Sequence, residues 1–184
     1  MERNEGNFTL AGDTYYERRW PVDSPRGHVL LVHGYGEHCA RYDHVAAALN
    51  HAGYSVYSYD QRWHGRSPGK KGYIQNFDRL VDDLGGYLAQ VRPALGGAPF
   101  FLFAHSMGCL ITATYLQRHG APAGCKGVIF SSPFFQLPDD VSPLLIKLAG
   151  VLGTYAPWLP VSKLKTGAVS RDGAVVAAYE KDPL

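Results

Sequence analysis

The chain of 184 residues has only three cysteines, Cys39, Cys109 and Cys125, with no close pair among them. That odd, scattered set excludes a disulfide framework and a cysteine-based metal site, and it fits a reducing cytoplasm. Basic clusters are also lacking. No Lys/Arg run exceeds two and the net charge is +2, so nucleic-acid binding has no support. Charged residues make up 18% against 46% hydrophobic, which excludes a disordered chain. The opening MERNEGNFTL lacks the apolar run of a secretory signal. Histidine is missing from residues 120–184, although eight precede them: His28, His33, His38, His44, His51, His64, His105 and His119.

What is present reads as alternating strands and helices. Phe8–Leu10, a turn at Ala11-Gly12-Asp13, and the Tyr/Trp-rich run Thr14–Trp20 suggest a hairpin. His28–His33 is a short apolar run suited to a strand buried on both faces. Arg41–His51 carries Val45, Ala48 and Leu49 on one helical face, with Gly53 as a stop. Tyr54–Tyr59 is β-prone, and Asp60–Gly72 is a polar, glycine-rich loop. Phe77–Val91 places Leu80, Val81, Leu84, Tyr87, Leu88 and Val91 at helical spacing. Pro99–Ala104 reads as a second buried strand, Ser106–His119 as a helix ended by Gly120, and Gly127–Ser131 as a third apolar run. Alternation of this kind predicts an α/β fold with a mostly parallel sheet, helices on both faces and right-handed crossovers.

The strongest chemical signal is Phe100-Phe-Leu-Phe-Ala-His-Ser-Met-Gly108. A strand runs into a small-X-Ser-X-Gly turn and then a helix, the nucleophile-elbow pattern, with Ala104 at its first position. Small residues are needed because the serine sits on a sharp, strained turn. Ser106 is therefore the candidate nucleophile, at a helix N-terminus whose free N–H groups favour a developing anion. His33-Gly-Tyr-Gly-Glu-His38 follows the first core strand. It lacks the third glycine and the lysine of a phosphate loop, and Glu37 would repel an anion. It suits an oxyanion-hole loop, with the backbone N–H groups of Tyr35 and Met107 as the two donors.

Several blocks together resemble the monoacylglycerol lipase and lysophospholipase-like α/β-hydrolases, the serine aminopeptidase S33 or hydrolase-4 group. They are His33–His38, Arg41-Tyr42, Tyr59-Asp-Gln-Arg-Trp-His-Gly-Arg-Ser67, Ala104–Gly108, Ser131-Ser-Pro133, Ser170-Arg-Asp and Tyr179–Leu184. The resemblance spans nearly the whole chain. Ala104 and Cys109 stand where that group usually has glycines, and Trp63 where it often has a small residue. The resemblance implies residues 1–135 as the N-terminal part of a hydrolase core and 136–184 as an incomplete helical cap. It implies an acyl-enzyme mechanism on a small lipid-like ester, without metal or organic cofactor. It also implies peripheral membrane contact through the cap.

In this fold the acid and base follow the serine along the chain. The only later histidine is His119, at the far end of the helix that starts at Ser106. That is ~20 Å away, against the ~3 Å a base requires. His105 adjoins the nucleophile but points apart from it. His33 reads as structural, and His64 as a loop-holding side chain. Asp139, Asp140, Asp172 and Asp182 all fall in the cap-like region rather than after a core strand. No triad acid or base is found. We therefore expect a C-terminally truncated fold with its last core strands missing, and an unpaired edge at Gly127–Ser131 open to self-association. Ser142–Pro160 is strongly apolar but broken by Lys147, Gly150, Gly153 and Pro157, which suits a lid over the site better than a membrane span. The competing reading is a non-catalytic hydrolase remnant or binding module.

Overall fold

Six strands form one sheet in the order β1-β2-β4-β3-β5-β6. They are β1 (Asn4–Leu10), β2 (Asp13–Trp20), β3 (Gly27–Val32), β4 (Tyr54–Tyr59), β5 (Phe100–His105) and β6 (Cys125–Ser131). The structure is a computed structural model and describes residues 2–136, 142 and 170–184. The β1–β2 and β2–β4 pairs are antiparallel, and β3–β4, β3–β5 and β5–β6 are parallel. This is the mostly parallel sheet of an α/β-hydrolase fold with an N-terminal hairpin. The hairpin turn is Ala11-Gly12, both with positive φ (50° and 86°), which matches the right-handed twist of the flanking strands. β1 begins at Asn4, earlier than the apolar pattern predicts. Asn4–Asn7 pair with Arg19–Tyr16 at a solvated edge, where no apolar signature is required.

Helices cover both faces. α1 (Asp43–His51), entered through a 3-10 turn at Cys39–Tyr42, packs beside Trp20, Val29, Leu31 and Val56. α2 (Phe77–Val91) and α3 (Met107–His119) cover the other face. α2 starts where the Asn76 side chain accepts the Asp78 N–H at 2.9 Å, one of the orphan donors of a helix start. All six of its predicted apolar positions are buried, each contributing roughly 1.5–3 kcal/mol. The charged residue on that buried face, Asp83, receives Arg62 through two bonds, at 3.0 Å and 3.1 Å. Asp13 and the Tyr15 hydroxyl complete the guanidinium's shell. The first of these interactions, with Asp83, pushes the Arg62 pKa up further.

Among the described residues β6 pairs with β5 alone, and Ile129 and Phe130 on it are 50% and 38% exposed. The chain divides into two units, Met1–Gln136 and Leu137–Leu184. Within the second, α4 (Gly173–Glu180) is capped by the Asp172 carboxylate, which accepts the Ala174 N–H at 2.8 Å. The apolar segment after Ser142, through Pro160, and the acidic pair Asp139-Asp140 lie outside the described residues. Among the described residues, no helix is long and apolar enough to cross a membrane.

Candidate active site

Strand order brings the two chemical motifs together. β3 connects through α1 to β4 on one side, and the chain then returns to place β5 on the other. The C-terminal ends of β3 and β5 thus flank the switch point of the sheet, where open α/β sheets bind ligands. His33-Gly34-Tyr35 leaves the end of β3. Ser106 leaves the end of β5. The register Val32↔Ala104 sets them side by side.

Ser106 has φ 50° and ψ −119°, a positive φ that a non-glycine residue holds only under strain of about 1–3 kcal/mol. The turn is over-determined by neighbours. The Ser106 N–H donates to Ser131 O at 3.0 Å, and its carbonyl accepts the Cys109 N–H at 3.0 Å. Gly108 allows α3 to approach β3: a Cβ there would stand 2.6 Å from His33 O and closer still to Val32 O. Gly34 lies against the serine, since a Cβ on it would come within 3.0 Å of the Ser106 Cβ. Met107 opens α3, so its N–H has no acceptor within the helix. Tyr35 sits one residue past Gly34 with its side chain 41% exposed.

His33, His64, His105 and His119 each engage a group other than the serine. No hydrogen bond joins any of them to the Ser106 hydroxyl among the described residues. The buried His33 donates from Nδ1 to Gly34 O at 2.8 Å and accepts the Gln61 N–H on Nε2 at 2.9 Å. Burial holds its pKa below the usual value, opposed chiefly by Glu37, so it is a neutral strut. His64 engages Arg62 O through Nδ1 at 3.0 Å, while its buried Nε2 has no partner. Burial, and next the neighbouring His33, push its pKa down to about 4. His105 Nδ1 lies 3.2 Å from Ser131 Oγ. His119 lies against Tyr115 at the other end of α3, with ring centroids 4.9 Å apart and planes tilted by 37°. Asp172 and Asp182 belong to the second unit.

Sequence reasoning missed the residues that shape the loops. The Glu37 carboxylate accepts the Gly34 N–H and the Tyr42 hydroxyl at 2.7 Å. Burial and then Glu37 raise the Tyr42 pKa far above its usual value, which keeps that donor protonated. Far from merely repelling anions, Glu37 consumes the N–H that would otherwise compete for them. Asp60 accepts the N–H groups of Cys39 and Arg66, both at 2.8 Å, and so joins the turns after β3 and β4. An acid directly after a β-prone run was the available signal. Among the described residues, no three His, Cys, Asp or Glu side chains are placed to hold a metal ion.

The chain is similar to known proteins over most of its length. The family described as serine aminopeptidase, S33, matches residues 23–184. The chain is 41% identical to a monoacylglycerol lipase of Mycolicibacterium smegmatis, over 99% of this chain and 65% of that protein. It superposes on a Paleococcus ferrophilus monoacylglycerol lipase with TM-score 0.77 and 34% identity, covering 92% of this chain and 63% of the other. A soluble variant of Saccharomyces cerevisiae monoglyceride lipase, in complex with a substrate analogue, matches with TM-score 0.79 and 26% identity, over 97% of this chain and 61% of that one. The chain thus spans less than two thirds of the length of each of these relatives.

Proposed function

The chain belongs to the serine aminopeptidase S33 family, and from that premise we propose that it is a serine hydrolase of carboxylic esters, with monoacylglycerols or lysophospholipids as substrates. The strained φ of Ser106 at the start of α3 carries the reading. Ser106 Oγ attacks the acyl carbonyl. The N–H groups of Tyr35 and Met107 hold the oxyanion, a contribution worth roughly 10²–10³ in rate per donor. The alcohol leaves, and water then hydrolyses the acyl-serine. No metal or organic cofactor takes part in these steps. The acyl chain finds apolar surface nearby: Phe130, Phe134 and Phe135 are 38%, 47% and 51% exposed, and Phe134 follows the strand bonded to Ser106. That surface and the relatives' names favour a lipid ester.

The serine proton passes through solvent water to the departing alkoxide, since among the described residues no hydrogen bond joins a histidine to the Ser106 hydroxyl. Catalysis without the acid and base retains about 10³–10⁴ over water through the oxyanion donors and binding. The test is labelling of Ser106 by a fluorophosphonate, read by intact mass, together with p-nitrophenyl ester turnover. Labelling and slow turnover, both abolished in Ser106→Ala, are expected. Background turnover unchanged by Ser106→Ala would instead support a non-catalytic hydrolase remnant or binding module. Three further properties belong to this proposal. The exposed β6 edge supports self-association, read by sedimentation. The apolar 142–160 segment supports a cap that touches a membrane surface. The three free cysteines suit a reducing, cytoplasmic setting.

A further inference from the structure

Tyr35 contributes more than a backbone N–H. Its hydroxyl donates to Gly72 O at 2.9 Å, across 37 residues of sequence. Its ring stands edge-on against His64, with centroids 5.5 Å apart and planes at 83°. His64 is itself set against His33, at 5.5 Å and 67°. The half-exposed phenol is therefore held at its tip and along its side.

The acceptor at the far end is equally fixed. The Gly72 N–H donates to Trp63 O at 2.8 Å, and the Trp63 N–H donates to Pro68 O at 2.8 Å. Gly69 lies on the Trp63 indole, where a Cβ would come 2.7 Å from Nε1. Trp63 is held at φ 66°, a left-handed conformation that a bulky residue keeps only when its surroundings over-determine it. Gly72 is also left-handed, at φ +70°, and a Cβ on it would stand 3.1 Å from the Tyr35 hydroxyl. The 63–72 loop is a closed knot that presents one carbonyl to one phenol.

We propose that Tyr35 is a positioning residue whose side chain, bonded to Gly72 O, sets the direction of its own backbone N–H in the oxyanion loop. Glu37 holds the preceding peptide by the Gly34 N–H, and the phenol holds the following residue through a lever anchored outside the loop. This rests on the reading of Ser106 as the nucleophile. Small misplacements of a catalytic group cost up to about 10²-fold in rate. Loosening one hydrogen-bonded lever therefore costs about five- to tenfold in bond formation, with little effect on binding.

The test compares Tyr35→Phe with the unaltered full chain in two measurements. The first is fluorophosphonate labelling of Ser106, separated into initial affinity and bond-forming rate. The second is amide hydrogen exchange over residues 33–38. The expected result is a bond-forming rate lowered about five- to tenfold, unchanged initial affinity and urea midpoint, and faster exchange at 33–38. 4-Aminophenylalanine at position 35, which restores an N–H donor, restores both readouts. Gly72→Ala crowds the same hydroxyl and also strains a left-handed position, so it reproduces the loss and in addition lowers the urea midpoint. A wild-type bond-forming rate with unchanged exchange in Tyr35→Phe overturns the proposal. If Ser106 in the unaltered chain is not labelled, the nucleophile reading fails instead. Exchange alone then decides the lever: faster exchange supports it and unchanged exchange overturns it.

Discussion

Gly108→Ala tests how far the site depends on the approach of α3 to β3. The new methyl carbon would stand 2.6 Å from His33 O, and ordinary contact begins at 3.4 Å. Clearing His33 O alone requires α3 to withdraw by about 0.8 Å, and the nearer Val32 O demands more. Neither obstacle can yield cheaply, because both Val32 O and His33 O are backbone at the end of a central strand. Overpacking of this kind costs roughly 1–3 kcal/mol of stability. The withdrawal also carries Ser106 and the Met107 N–H away from Tyr35, so labelling of Ser106 by a fluorophosphonate falls roughly 10²-fold. Urea melts and timed intact-mass labelling read the two effects. Gly173→Ala is the control, since a methyl there meets nothing within 4 Å. A Gly108→Ala chain labelled within threefold of the parent, and melting at the same urea concentration, would refute the packing argument. An unlabelled parent would refute the nucleophile assignment and leave the stability arm standing.

Two other outcomes follow from buried charge. Asp83→Ala strips the carboxylate from the guanidinium of Arg62, both side chains being under 10% exposed. It lowers stability by about 3–5 kcal/mol, and Arg62→Met in the same chain recovers much of that; equal denaturation midpoints for Asp83→Ala and the parent would contradict it. His64 and His33 are held neutral by burial, with folded pKa values below the ordinary 6.5. The unfolded chain therefore binds more protons below that value. Stability is fully present above pH 6.5 and is lost as pH falls toward about 4, the value for His64. Asp60 opposes this loss and Lys71 adds to it. The His64 share is roughly 3 kcal/mol. His64→Asn flattens the pH dependence of urea unfolding in that window, and an unchanged slope counts against the assignment.

Local pattern carried most of the fold. Helix α2 is readable because six apolar side chains recur at helical spacing after an asparagine cap and before Pro93. The elbow is readable because strain demands small residues around Ser106, and the observed φ of 50° is the strain itself. Position 63 reads only as a departure from the family's small residue, and the positive φ explains why a small residue suits it. β1 was legible only in part, since an edge strand needs no apolar alternation.

By itself, the sequence determined the alternating elements, the serine on its turn and the lack of any histidine after His119. Those follow from short-range periodicity, backbone strain and counting. Tertiary structure alone decided the strand order that sets the β3 and β5 ends together, and the burial that makes His33 and His64 neutral. It also decided the contacts of Glu37, Asp60, Arg62 and Tyr35 with partners distant in the chain. Such contacts depend on where two remote segments meet in space, and no local spacing rule encodes that meeting.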